Sequence, residues 1–106
     1  MATIKKPYGH KMFYELLDEI AEIHSNKSHD YGGKGNPLSN LEIFGWRGVI
    51  VRLGDKFCRL KNFYNQGEFK VKDENIIDTL LDLSIYSLLC IILLEEEHKK
   101  TICQKD

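Results

Sequence analysis

The sequence predicts an all-α protein, a small bundle of three to four helices that assembles into an oligomer. Three observations lead there. Apolar residues recur at helical spacing in three long segments. No stretch of period-two alternation is long enough to support a sheet. The last helical segment is apolar around most of its circumference between Ile76 and Leu94, more surface than a domain of 106 residues can cover alone. A single domain over residues 1–106 is expected, with residues 1–9 and 99–106 as frayed tails.

The first helix is predicted from about His10 to Asn26. Phe13, Leu16, Leu17, Ile20 and Ile23 make its apolar face, and Glu15, Asp18, Glu19 and Glu22 occupy much of the remainder. That acidic set reads as a solvated face. The segment HDYGGKGNPLSN, His29 to Asn40, follows. Its glycines and Pro37 predict a loop whose backbone can bend sharply or approach a ligand closely. Asn40 is a candidate cap for a short helix that Gly45 and Gly48 interrupt. A second long helix is expected over about Val49 to Asn65, with Val51, Leu53, Phe57, Leu60 and Phe63 on its apolar side. After the turn at QGEFKVKDE, Asp73 is the expected N-cap of the third helix, which runs to Glu97 before the polar tail HKKTICQKD.

Bulk composition narrows the function. A net charge of −1 supplies no field for a nucleic-acid polymer or an anionic membrane. Three cysteines without a CxxC pair fit neither a disulfide framework nor a zinc knuckle, and point to a reducing cytoplasm. The N-terminus lacks the apolar run of a signal peptide. Leu88 to Leu94 is bounded too closely by Asp82 and Glu95 for a membrane span of about 20 residues.

Chemistry concentrates on the second and third helices. Glu74, Asp78 and Asp82 recur every four residues, so they line one side of the third helix. The stripe continues as Leu81, Ile85, Leu89 and Ile92, which sets carboxylates toward a packed interior or cleft. Acids there need a cation or hydrogen-bond donors. On the second helix Arg52, Lys56 and Arg59 form a cationic row, with Asp55 adjacent and Arg47 upstream. If the turn is centred near Glu68, Asp55 lies about 13 positions before it and Asp82 about 14 after it. An antiparallel pair then places both acids at similar height. Carboxylates holding Mg²⁺ beside Lys and Arg meeting non-bridging oxygens would form a metal–phosphate site. The alternatives are an Asp55–Arg59 surface pair and an ion-pair network in which Asp78 and Asp82 neutralise Arg52 and Arg59. Zinc ligation by His24, His29 and Asp30 is the weaker option beside a polar surface. Cys58 reads as packing beside Phe57. Trp46, Tyr31 and Phe44 either stack on a base or, for Trp46 and Phe44, close the core.

The order KSHDYGGKGNPLSN, GWRGVIVRLGDKFCRL and DENIIDTLLDLSIYSLL resembles the phage and bacterial proteins called nucleotide modification associated domain 1. These are similar to the wider all-α NTP pyrophosphohydrolases, which include MazG and the dimeric dUTPases. The likeness covers roughly Lys27 to Leu94. It implies a Mg²⁺-dependent hydrolase that splits a nucleotide between its α and β phosphates, with Asp55, Glu74, Asp78 and Asp82 holding metal. It implies that Asp55, Asp78 and Asp82 are the catalytic set and that Arg52, Lys56 and Arg59 clamp phosphates. Lys27, Asp30, Tyr31 and Asn36 would recognise sugar or base. Asp82 corresponds to the final acid of the group's ExxD element. Asp78 stands one residue farther from it than the usual glutamate, and Lys56 and Arg59 stand where further acids are usual. The alternative that this departure implies is a non-catalytic protein that sequesters a signalling nucleotide. Either way the expected partners are a nucleotide and further copies of the chain in the cytoplasm, a host's if the protein is viral.

Overall fold

The computed structural model of the chain describes residues 6–32, 39–67 and 75–104. Among these residues the protein is all-helical and has no strand. Three long helices carry it: α1 (Lys11–Gly32), α3 (Gly45–Gln66) and α4 (Ile76–Gln104), with a single turn, α2 (Ser39–Glu42), ahead of α3. The chain divides into two compact units, residues 1–40 and 41–106.

In the first unit, α1 starts where the first apolar residues begin. The ring nitrogen Nδ1 of His10 accepts from the Met12 N–H at 3.1 Å, supplying the partner that a first-turn amide lacks inside the helix. Upstream, the Tyr14 hydroxyl donates to the Tyr8 carbonyl at 2.6 Å, which ties the entering chain to the first turn. Leu17, Ile20 and Ile23 are half-buried, while Met12 and Phe13 are exposed. The helix runs six residues past its expected end at Asn26, so His29, Asp30 and Tyr31 are helical and not loop. Lys27 to Tyr31 contain neither glycine nor proline, and nothing interrupts the backbone ladder until Gly32.

The second unit is built on α3 packed against α4. α3 starts four residues before the expected Val49, at Gly45. Gly48 does not break it. A Cβ at Gly48 would lie 2.7 Å from Phe44 Cβ, so the glycine lets the helix start beneath that aromatic side chain. At the other end Gly67 takes φ +79° and its N–H donates to the Phe63 carbonyl at 2.7 Å, a left-handed C-cap that glycine adopts without strain.

α4 begins at Ile76, and the residue that caps it is Asn75; the expected cap, Asp73, lies outside the described residues. Asn75 Oδ1 accepts from the Asp78 N–H at 2.8 Å, and Asn75 Nδ2 donates to Asp78 Oδ2 at 2.7 Å. One side chain thus satisfies an orphan amide and fixes an acid at the positive end of the helix dipole. Asn75→Ala should cost about 1 kcal/mol of stability in urea unfolding, with the midpoint lowered and the slope unchanged. An unchanged midpoint would show that Asn75 is not the cap. At its far end α4 continues to Gln104, so the backbone of residues 98–104, expected to fray, is helical.

The packing is antiparallel and in register. Cys90 Sγ meets the Trp46 carbonyl at 3.8 Å, Arg52 meets Tyr86, and Lys56 meets Asp82. The last two pairs advance by four on α3 and retreat by four on α4, so each turn of one helix answers a turn of the other. α4 contributes Thr79, Ile85, Leu89, Cys90 and Leu93, all buried, and α3 contributes Val49, which is 1% exposed. Leu53, Leu60 and Phe63 continue the α3 seam, half-buried. Val51 and Phe57, expected on that seam, are 65% and 62% exposed. Two helices in contact cover one stripe of each, and the seam through Val49, Leu53 and Leu60 leaves Val51 and Phe57 outside it.

α4 also carries apolar residues on its other side. Ile77, Leu80, Leu88 and Ile91 are exposed and follow one another at helical spacing. By length and composition alone Ile76–Lys100 would cross a bilayer, a test that the core helix of a soluble protein also passes.

Candidate functional site

The most informative contact is a charged pair set into the α3–α4 seam. Lys56 falls on the same line as Val49, Leu53, Leu60 and Phe63, seven residues from both Val49 and Phe63, and the helix therefore turns it toward α4. Asp82 falls on the inner line of α4 between Thr79 and Tyr86. The Lys56 ammonium and Asp82 Oδ2 meet at 2.9 Å, with side chains only 18% and 23% exposed. Their mutual attraction offsets part of the desolvation cost that either would carry alone.

One turn away, Arg52 faces Tyr86. Its guanidinium carbon lies 5.7 Å from the centre of the ring, and Nη1 donates to the phenol oxygen at 3.5 Å, a long and weak hydrogen bond. The cation–π contact is the stronger of the two links. Among the described residues Arg52 makes no ion pair with a carboxylate, unlike Lys56.

The other expected site residues are distributed as follows. Asp55 precedes Lys56 by one residue, a turn of about 100° around the helix, and is exposed. At the height of Asp82, α3 therefore presents a cation. Asp78 is exposed and bonded to Asn75 in the α4 cap. Arg59 is exposed one turn beyond Lys56 and carries interactions of its own. Lys27 is exposed on α1, and Asp30 and Tyr31 lie in the last turns of that helix. Glu74 and Asn36 lie outside the described residues.

The family resemblance implies Mg²⁺, for which these carboxylates would supply the oxygen donors. Asp82 is engaged by an ammonium, Asp78 by an amide, and Asp55 is exposed on the neighbouring helix. Among the described residues no group of three or more His, Cys, Asp or Glu is placed to hold a metal ion. Asp55, Asp78 and Asp82 are not brought together into one such group, and Glu74, the fourth expected ligand, lies outside the described residues. Of the zinc alternative, the side chains of His29 and Asp30 lie outside what the structure describes.

Cys58 and Phe44, expected to pack inside, are both exposed. Cys58 is exposed and does not pack in the seam. Phe44 is 79% exposed, so it does not close the core, whereas Trp46 is half-buried with the Arg47 guanidinium 5.1 Å from its ring centre. Both aromatics line an open cavity of about 480 Å³ with Arg47, Leu93, Glu96 and Lys100. It sits about 16 Å from Asp82 by the rise of α4 from residue 82 to residue 93, and is separate from the charged pair.

Sequence reasoning missed Tyr86 and Asn75. Tyr86 follows Asp82 by four, so the stripe that singled out the acids extends directly to it. Asn75 precedes Asp78 by three, the spacing of a capping pair.

Fold and site together define a class: an all-helical protein with a cation–carboxylate pair and a ring-supported arginine set along one helix–helix seam. Comparisons with protein-family profiles, curated proteins and solved structures returned no match to this chain.

Proposed function

We propose that this protein binds the phosphate groups of a nucleotide along the α3–α4 seam and holds it through cationic side chains. The observation that carries this reading is the pair of cations one turn apart, Arg52 on Tyr86 and Lys56 on Asp82. An ammonium has three N–H donors and Asp82 Oδ2 takes one, which leaves two for a phosphate oxygen. The Arg52 guanidinium adds a planar fork suited to two oxygens of one phosphate. Asp82 cancels the charge of Lys56, so Arg52 supplies the net positive charge of the pair.

The resemblance to the all-α NTP pyrophosphohydrolases supports a nucleotide as the source of those phosphates. It also supplies a second reading, a Mg²⁺-dependent pyrophosphohydrolase. Asp82, which corresponds to the final acid of that group's ExxD element and lies in the α3–α4 seam, supports that reading. Lys56 and Arg59, standing where that group usually has further acids, favour binding without turnover, as in a protein that sequesters a signalling nucleotide. The proposed setting is the cytoplasm, and the proposed assembly is a homo-oligomer that buries Ile77, Leu80, Leu88 and Ile91.

The test is calorimetric titration of the purified protein with ATP, dATP and dUTP, with Mg²⁺ and then with EDTA. Pyrophosphate release is measured on the same samples, and the mass in solution by light scattering. Binding that persists in EDTA without pyrophosphate release is the expected result. Pyrophosphate release that stops in EDTA would establish the hydrolase instead. Absence of binding under both conditions would overturn both readings, and a monomeric mass would overturn the proposed assembly.

A further inference from the structure

Arg52 differs from Lys56, its neighbour one turn along the seam, in what holds it. Lys56 is neutralised by a carboxylate, whereas Arg52 rests on an aromatic ring and has no carboxylate partner among the described residues. A carboxylate would occupy the N–H donors of a guanidinium and cancel its charge. A ring face does neither: it attracts the cation through its quadrupole while the N–H bonds radiate from the edge of the guanidinium plane. The arrangement fixes a long side chain and leaves its charge and most of its donors available to an anion.

We infer that Tyr86 is the positioning residue of this site, its ring holding the Arg52 guanidinium so that a polyphosphate meets an ordered fork of donors. The inference rests on the phosphate-binding reading and adds to it the residue that sets the geometry. The ring carries the effect and the hydroxyl adds little, because the Nη1–Oη contact is at the outer limit of a hydrogen bond. Ordering the arginine before the ligand arrives removes rotamer entropy that binding would otherwise have to offset.

Calorimetric titration with inorganic triphosphate and with ATP provides the test, on wild type, Tyr86→Phe, Tyr86→Leu, Arg52→Ala and the double variant Arg52→Ala/Tyr86→Leu. Tyr86→Phe should stay within about twofold of wild type, and Tyr86→Leu should weaken both probes about fivefold. In the Arg52→Ala background the leucine substitution should have no further effect, which a merely structural role for the ring would not produce. Thermal unfolding of each variant separates lost folding from lost binding, and Tyr86→Phe keeps the test informative if the leucine variant does not fold.

Affinity unchanged in Tyr86→Leu overturns the inference while the phosphate reading stands. So does an equal loss with and without Arg52, or a loss in Tyr86→Phe as large as in Arg52→Ala. If wild type binds neither triphosphate nor ATP, the phosphate reading fails and this inference falls with it.

Discussion

Val49→Asp is expected to abolish the cooperative fold of residues 41–106. Among the described residues Val49 is the most deeply buried side chain, at 1% exposure, and it lies where α3 meets α4. The nearest cation, Arg52, lies one turn along on the Tyr86 ring, and Lys56, two turns along, is held by Asp82. An isolated buried charge costs several kcal/mol, comparable with the whole stability of a small domain. Val49→Ala separates charge from packing: it removes two methyl groups and should cost about 2 kcal/mol while leaving a two-state transition. Far-UV circular dichroism in urea is the measurement. A Val49→Asp protein whose midpoint matches wild type would mean that α3 and α4 do not pack through this residue.

Helical class was legible because periodicity depends only on residue type and spacing. The α4 seam follows the expected line from Ile85 through Leu89, and Leu53, Leu60 and Phe63 do the same for α3. Boundaries were harder to place because they depend on neighbours. Gly48 looks like an interruption until Phe44 is seen against it. Asn75 looks incidental until its amide is seen bonded to Asp78 on both atoms. The inner face of α3 was the costliest error of azimuth. Grouping Arg52, Lys56 and Arg59 by charge hid the fact that Lys56 shares a line with Val49 and Phe63. A rotation of one residue separates Asp55, which the pattern of acids favoured, from Lys56, which faces Asp82. Hydrophobic type also overstated burial at Val51 and Phe57, since type does not reveal how many helices are available to cover a surface.

Exchanging the two charges of the seam distinguishes a structural ion pair from a ligand site. Lys56→Asp alone sets two carboxylates against each other, and Asp82→Lys alone sets two ammonium groups together, in surroundings that admit little water. Each single variant should lose about 2 kcal/mol of stability. That figure lies above the value of an exposed pair and below the cost of breaking a fully buried one. The double variant Lys56→Asp/Asp82→Lys restores opposite charges across the same gap, and should recover more than half of either loss in urea unfolding. Nucleotide affinity should not recover with it. The exchange moves the ammonium from α3 to α4 and places a carboxylate one turn from Arg52, where a phosphate would have to approach. A tenfold or greater loss of ATP affinity in the stable double variant is the expected outcome. Recovery of both stability and affinity would reduce Lys56–Asp82 to a structural pair, and recovery of neither would show that this seam tolerates only one orientation of charge.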